Sequence, residues 1–152
     1  MAKTNEVAVV SVSNPRDLVI GAGQDLLSLS LEERLSLWKR QSEAQASDTL
    51  DPKMINTELV ATHIHPYSRP VEDQETLETI NATYVAFVLD TGEMFKTAST
   101  QALPFALEMA KFLGVNRETG QLAYPVKFKI TQQKAPNGTG MIFRFVFLDI
   151  VR

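Results

Sequence analysis

Between residues 124 and 132 the chain alternates strictly, Val126, Phe128 and Ile130 on one side and Lys127, Lys129 and Thr131 on the other. A period of two is incompatible with a helix and marks a β-strand with one apolar side. Such a strand is not stable alone, because its apolar side must be covered by further strands or a helix. The same spacing recurs near the end, where Phe143, Phe145 and Phe147 occupy every second position of residues 141–151. Whatever else the chain does, it has to build a sheet around this pair.

Three earlier strands are expected. The first covers 58–65 and stops at a turn bracketed by Pro66 and Pro70, since proline denies a central strand its backbone donor. Residues 76–89 and 94–99 form a hairpin through Asp90-Thr91-Gly92-Glu93, with Gly92 supplying the positive φ of a tight turn. A helix is expected at 104–113. Pro104 lies in its first turn, Phe105, Met109, Phe112 and Leu113 lie on one side, and Gly114 ends it. The segment Pro136-Asn137-Gly138-Thr139-Gly140 turns the chain into the last strand.

Residues 1–52 have a looser character: a Val-rich run at 6–12, a turn at Asn14-Pro15, then Gly21-Ala22-Gly23. Ser30 and Glu33 have capping-box spacing, and Leu31, Leu35 and Trp38 recur as one narrow apolar stripe, so a helix is expected over 31–46. Turn formers from Ser47 to Pro52 make a linker. The chain therefore divides into an N-terminal arm with linker, 1–52, and a β domain, 53–152. Strand-strand-strand-helix-strand-strand is the order of the OB fold, so the expectation is a mainly β, α+β protein: an OB-like five-stranded barrel carrying an N-terminal helical arm.

Composition narrows the chemistry. The chain has no cysteine, which excludes disulfides, thiolate metal sites and a cysteine nucleophile. No apolar run approaches the roughly 20 residues of a membrane span, and the start lacks the features of a secretion signal. A cytoplasmic location is expected, that of a host if the protein is viral. The net charge is −3, but it is unevenly spread: from residue 104 onward seven basic residues face three acids, whereas residues 51–103 hold three basic residues and eight acids.

Catalytic signatures are weak. His63 and His65 share one side of a strand, as a metal site requires, but a carboxylate such as Glu58 or Asp73 would have to complete the set and no spacing singles one out. No serine or threonine lies in a nucleophile motif, and Gly21-Ala22-Gly23-Gln24 lacks the rest of a phosphate loop. No catalytic residue, metal or cofactor is assigned, and the protein is expected not to be an enzyme.

Single-stranded nucleic acid is a better match. With Thr91-Gly92 as a two-residue loop, Val88 pairs with Phe95, and one hairpin face carries Tyr84, Ala86, Val88, Phe95, Thr97 and Ser99. Tyr84 and Phe95 are then platforms for bases, each stack contributing about 1–3 kcal/mol. A slip of one residue would exchange the two faces and bury both aromatics. Lys96, Lys127, Lys129, Lys134 and Arg144 supply charge toward phosphates, and Tyr67 and Arg69 lie in the loop where OB domains close over a strand.

The element order, with Thr83-Tyr84-Val85-Ala86-Phe87-Val88-Leu89 leading through Gly92 to Phe95-Lys96-Thr97 and the closing Phe143-Arg144-Phe145-Val146-Phe147, resembles small single-stranded DNA-binding proteins of bacteriophages. The resemblance covers about two thirds of the chain. It implies sequence-independent binding that protects single strands during viral DNA replication, with single-stranded DNA as partner and RNA left open. The N-terminal helix is expected to support a homo-oligomer. The competing expectation is a structural or assembly protein whose β domain and Leu31-Leu35-Trp38 stripe make subunit contacts.

Overall fold

A computed structural model of the chain describes residues 18–20, 26–73, 75–98, 100–134, 138 and 140–152. The Val-rich run, the Asn14-Pro15 turn, the Gly21–Gly23 segment and most of the 136–140 turn lie outside the described residues. The elements are α1 (Leu31–Ala46), β1 (Asp48–Thr49), β2 (Glu58–Glu72), β3 (Thr79–Leu89), β4 (Met94–Thr97), α2 (Ala102–Leu113), β5 (Gln121–Lys134) and β6 (Met141–Ile150). Short 3-10 turns occupy Leu26–Ser28 and Pro52–Met54.

The six strands form one curled, half-barrel sheet in the order β1-β4-β3-β2-β5-β6. Every pairing is antiparallel except that of β1 with β4. The protein is thus mainly β with two helices, as expected, but the five-stranded barrel is not reproduced. Its closure would need β6 on the outer edge of β4. There β1 sits instead, with Asp48 opposite Phe95 and the Leu50 N–H donating to the Lys96 carbonyl.

The inner face of the sheet holds the core. Phe87 lies at its centre, its ring 5.4 Å from Phe95, 5.6 Å from Phe128, 5.8 Å from Phe145 and 6.4 Å from Phe105. Phe105 and Met109 come from α2, which plugs the curled sheet and stops at Gly114, where φ is +92°. Phe112, expected on the packed side, is exposed at the helix end, with Lys111 over its ring.

Two strand expectations change, each for a local reason. The first strand runs straight through Pro66 and Pro70 to Glu72. Even-numbered residues of β2 point their backbone away from β3: the Ile64 N–H donates to Gly120, the Pro66 carbonyl accepts from Ile20 and the Ser68 N–H donates to Ile20. Both prolines therefore direct their missing donor to this side, and the β2–β3 ladder loses nothing.

The hairpin register is also shifted by one. Phe87 faces Phe95 and Val88 faces Met94, because the loop has three residues, Asp90 to Gly92, and not two. The Gly92 N–H closes it onto the Leu89 carbonyl and the Leu89 N–H bonds Glu93 O, with Gly92 at φ +90° as the left-handed residue of a bulged turn.

Two substitutions test this architecture. Phe87→Ala should lower unfolding free energy by about 3–5 kcal/mol. Gly120 has φ +76°, and a Cβ there would lie 2.5 Å from the Ile64 carbonyl oxygen and 2.7 Å from His65 Nδ1. Gly120→Ala should therefore cost on the order of 2 kcal/mol or more, whereas Gly92→Ala, with open space around it, should cost about 1 kcal/mol. Urea unfolding of the three variants checks the order.

Candidate nucleic-acid interface

The outer face of the sheet is built by the residues that alternate with the core. From β2 to β4 it carries His63, His65, Tyr67, Arg69, Tyr84, Ala86, Met94 and Lys96; on β5 and β6 it carries Lys127, Lys129, Arg144 and Val146. α1 lies across the first of these regions. Its Ala44 is buried against a second, smaller cluster of Ile20, Tyr67 and Ala86, with Leu37, Tyr84 and Met94 at its margin.

The helix begins at the anticipated cap, where the Ser30 hydroxyl accepts from the Glu33 N–H and Glu33 Oε1 accepts from the Ser30 N–H. At its other end the Lys96 ammonium donates to the Gln45 carbonyl. A cation there also meets the negative end of the helix dipole.

Arg40 anchors the middle of α1. Its guanidinium donates to the Arg117 carbonyl at 2.7 Å and the Glu118 carbonyl at 3.3 Å, and its Nε to His65 Nδ1 at 3.3 Å. Burial lowers the Arg40 pKa to about 10, which leaves it charged near neutrality. The His65 ring is buried and faces that charge and His63, so its pKa falls to about 3 and it stays neutral, with Nδ1 as acceptor. Beside this anchor a cavity of about 720 Å³ opens between α1, Ile20 and the turn at 116–120. Glu32, Glu33 and Glu118 line it together with Arg40 and Arg117, so its charge is mixed.

The expected site residues therefore separate into three groups. Phe95 is fully buried (0% exposed) in the core, on the opposite face from Tyr84, so it is not a stacking platform. Tyr67 is 1% exposed, stacked on Tyr84 at 5.3 Å under α1, and it lies within β2 and not in a loop. Tyr84 is half-buried, with the Arg69 guanidinium 5.6 Å from its ring centroid, and Lys96 is held by α1.

Lys127, Lys129 and Arg144 do converge. Lys127 and Lys129 follow each other on the outer side of β5, and Arg144 stands opposite Thr131 on β6. Glu58 approaches Lys127 at 3.8 Å, a partly exposed pair worth little in water. Lys134 is exposed on the other side of β5 and does not join them.

The histidine pair does not form a metal set. Their rings lie 6.1 Å apart, His65 Nδ1 is engaged by Arg40 and His63 Nδ1 by Thr62, and among the described residues no group of three ligating side chains occurs. Arg40 was missed from the sequence; its signal, one basic residue within the polar face of an amphipathic helix, resembles any solvated arginine. No helix among the described residues is long and apolar enough to cross a membrane. No family model, curated protein or solved structure matches the chain.

The buried histidine makes stability depend on pH. In the unfolded chain His65 binds a proton below about pH 6.5, whereas in the fold it does so only near 3, so the unfolded state binds more protons between these values. The His65 contribution should be constant above pH 7 and fall as pH drops below 6.5, by at most about 1.4 kcal/mol per pH unit, and His63, whose pKa is lowered by burial and by Arg40, adds in the same direction. His65→Asn keeps an acceptor for Arg40 and should flatten the decline between pH 7 and 5 in urea titrations.

Proposed function

We propose that the protein binds single-stranded DNA without sequence preference, through the uncovered part of its outer sheet face. The observation that carries the reading is the placement of Lys127, Lys129 and Arg144 on one open surface of two paired strands, with Glu58 and Asp149 beside Lys127 as counter-charges. Three cations on a rigid sheet can follow a phosphate backbone without the entropic cost of gathering flexible side chains from loops. Among the aromatics first considered, Tyr84 alone keeps exposed ring surface, and Arg69 above it adds a cation that can stack against a base. Catalysis plays no part in this reading. A curled mainly β sheet plugged by a helix that follows β4 also fits an OB-like scaffold, opened by β1.

Titration of a fluorescent oligo-dT against the protein at two salt concentrations tests it. Affinity should fall with salt, and Lys127→Glu with Lys129→Glu should weaken binding and reduce the slope of log K against log salt by about 0.7 per lost phosphate contact. Duplex DNA should bind more weakly. Salt-independent or undetectable binding at low salt rejects the reading.

A second reading, assembly through α1, has its own observation. Leu31, Leu35 and Trp38 (69% exposed) form the expected stripe, and it points away from the sheet. If α1 docks on a neighbouring subunit, Trp38→Glu should dissociate the assembly in light scattering and leave oligo-dT binding unchanged.

A further inference from the structure

The two edges of the sheet are unlike. β1 is a two-residue edge, Asp48 and Thr49, both polar and exposed. Such a short polar edge discourages pairing with other chains. β6 is the opposite: ten residues long, last in the strand order, and without proline or lysine. Among the described residues nothing pairs with its outer side. Val146, Phe147 and Leu148 are exposed large apolar side chains in succession, so the middle of this edge is apolar, flanked on the outer face by Arg144 and Asp149. Its register with β5 runs unbroken from Met141 to Phe147, which keeps the edge regular, and a bulge at Leu148 follows.

We propose that β6 pairs with β6 of a second copy of this chain, antiparallel about Val146, joining two half-barrel sheets into one continuous sheet. A two-fold axis perpendicular to the sheet requires opposed residues to share a face, so its centre must fall on a residue. Centred on Val146, the pairing sets Phe145 opposite Phe147 of the second copy on the inner face. On the outer face it sets Arg144 opposite the Leu148-Asp149 bulge, where Asp149 already shares the outer side with Lys127. Cation meets acid twice, and no like charges are opposed. Centring on Arg144 would instead place two guanidinium groups together. Main-chain hydrogen bonds supply the affinity and the Phe145–Phe147 and Arg144–Asp149 pairs the register. This interface is distinct from the α1 stripe and does not depend on DNA binding.

Light scattering or sedimentation of the full chain over a range of concentrations tests it. The expected mass is twice 16.9 kDa. Val146→Glu puts two carboxylates on the two-fold axis, while within its own chain the new side chain faces Lys129, so the fold is retained and the mass should halve. Arg144→Glu should weaken the dimer at least tenfold, and adding Asp149→Arg should restore it. Amide exchange along β6 should slow with increasing concentration in the parent and not in Val146→Glu. A parent chain that stays monomeric, a dimer indifferent to Val146→Glu, or one broken by Trp38→Glu alone overturns the proposal.

Discussion

Phe87 joins both halves of the sheet to α2. Its ring meets Phe95 from the adjacent strand, Phe128 and Phe145 from the far half of the sheet, and Phe105 from α2. A sheet that must bring β4 and β6 toward one central ring has to curl, and α2 is the plug that the curl encloses. The consequence is a strict division of faces. Side chains that alternate with the Phe87 layer are driven outward, and Tyr84, Lys127, Lys129 and Arg144 lie among them.

The outer face is then divided a second time, by α1. Ala44 allows the helix backbone to approach Tyr67 and Ala86, Arg40 ties it to the 116–120 turn and His65, and Lys96 holds the Gln45 carbonyl near its end. These contacts combine polar anchors, one small buried residue and Leu37 at the margin of the cluster, so the helix covers β2 to β4 while Leu31, Leu35 and Trp38 stay exposed. The stripe containing Trp38 is left to face outward, and the lysines of β5 are left open. The lysines of β5 and the Trp38 stripe thus lie on different parts of the molecule, so the proposed nucleic-acid face and the proposed contact through α1 do not compete for one surface.

The limits of the sequence are visible at particular residues. The alternation through Val126 to Ile130 and the capping box at Ser30 were legible because each depends on neighbours a few positions away. The hairpin register was not. Two- and three-residue loops both accommodate Asp90-Thr91-Gly92-Glu93, and only the packing of Phe95 against Phe87 selects between them. Pro66 and Pro70 looked like terminators because sequence does not say on which side a strand lacks a partner. Their even spacing keeps both on the side away from β3, and beyond Gly120 that side meets only the short Ile20 bridge among the described residues.

By itself the sequence determined the two helices, the approximate positions of five strands (though not β1 or the run of β2 past Pro66), where Gly92 and Gly114 reverse or end them, and that basic residues gather in the last third. These follow from short-range sterics and periodicity, which act within a few residues. Tertiary structure alone decided that Phe95 and Tyr67 are buried, that β1 takes the edge a closed barrel would give to β6, and that α1 covers half of the outer face. Each of these outcomes is a competition between distant segments for one surface. The winner is set by shape and burial across the whole fold, which no local pattern encodes.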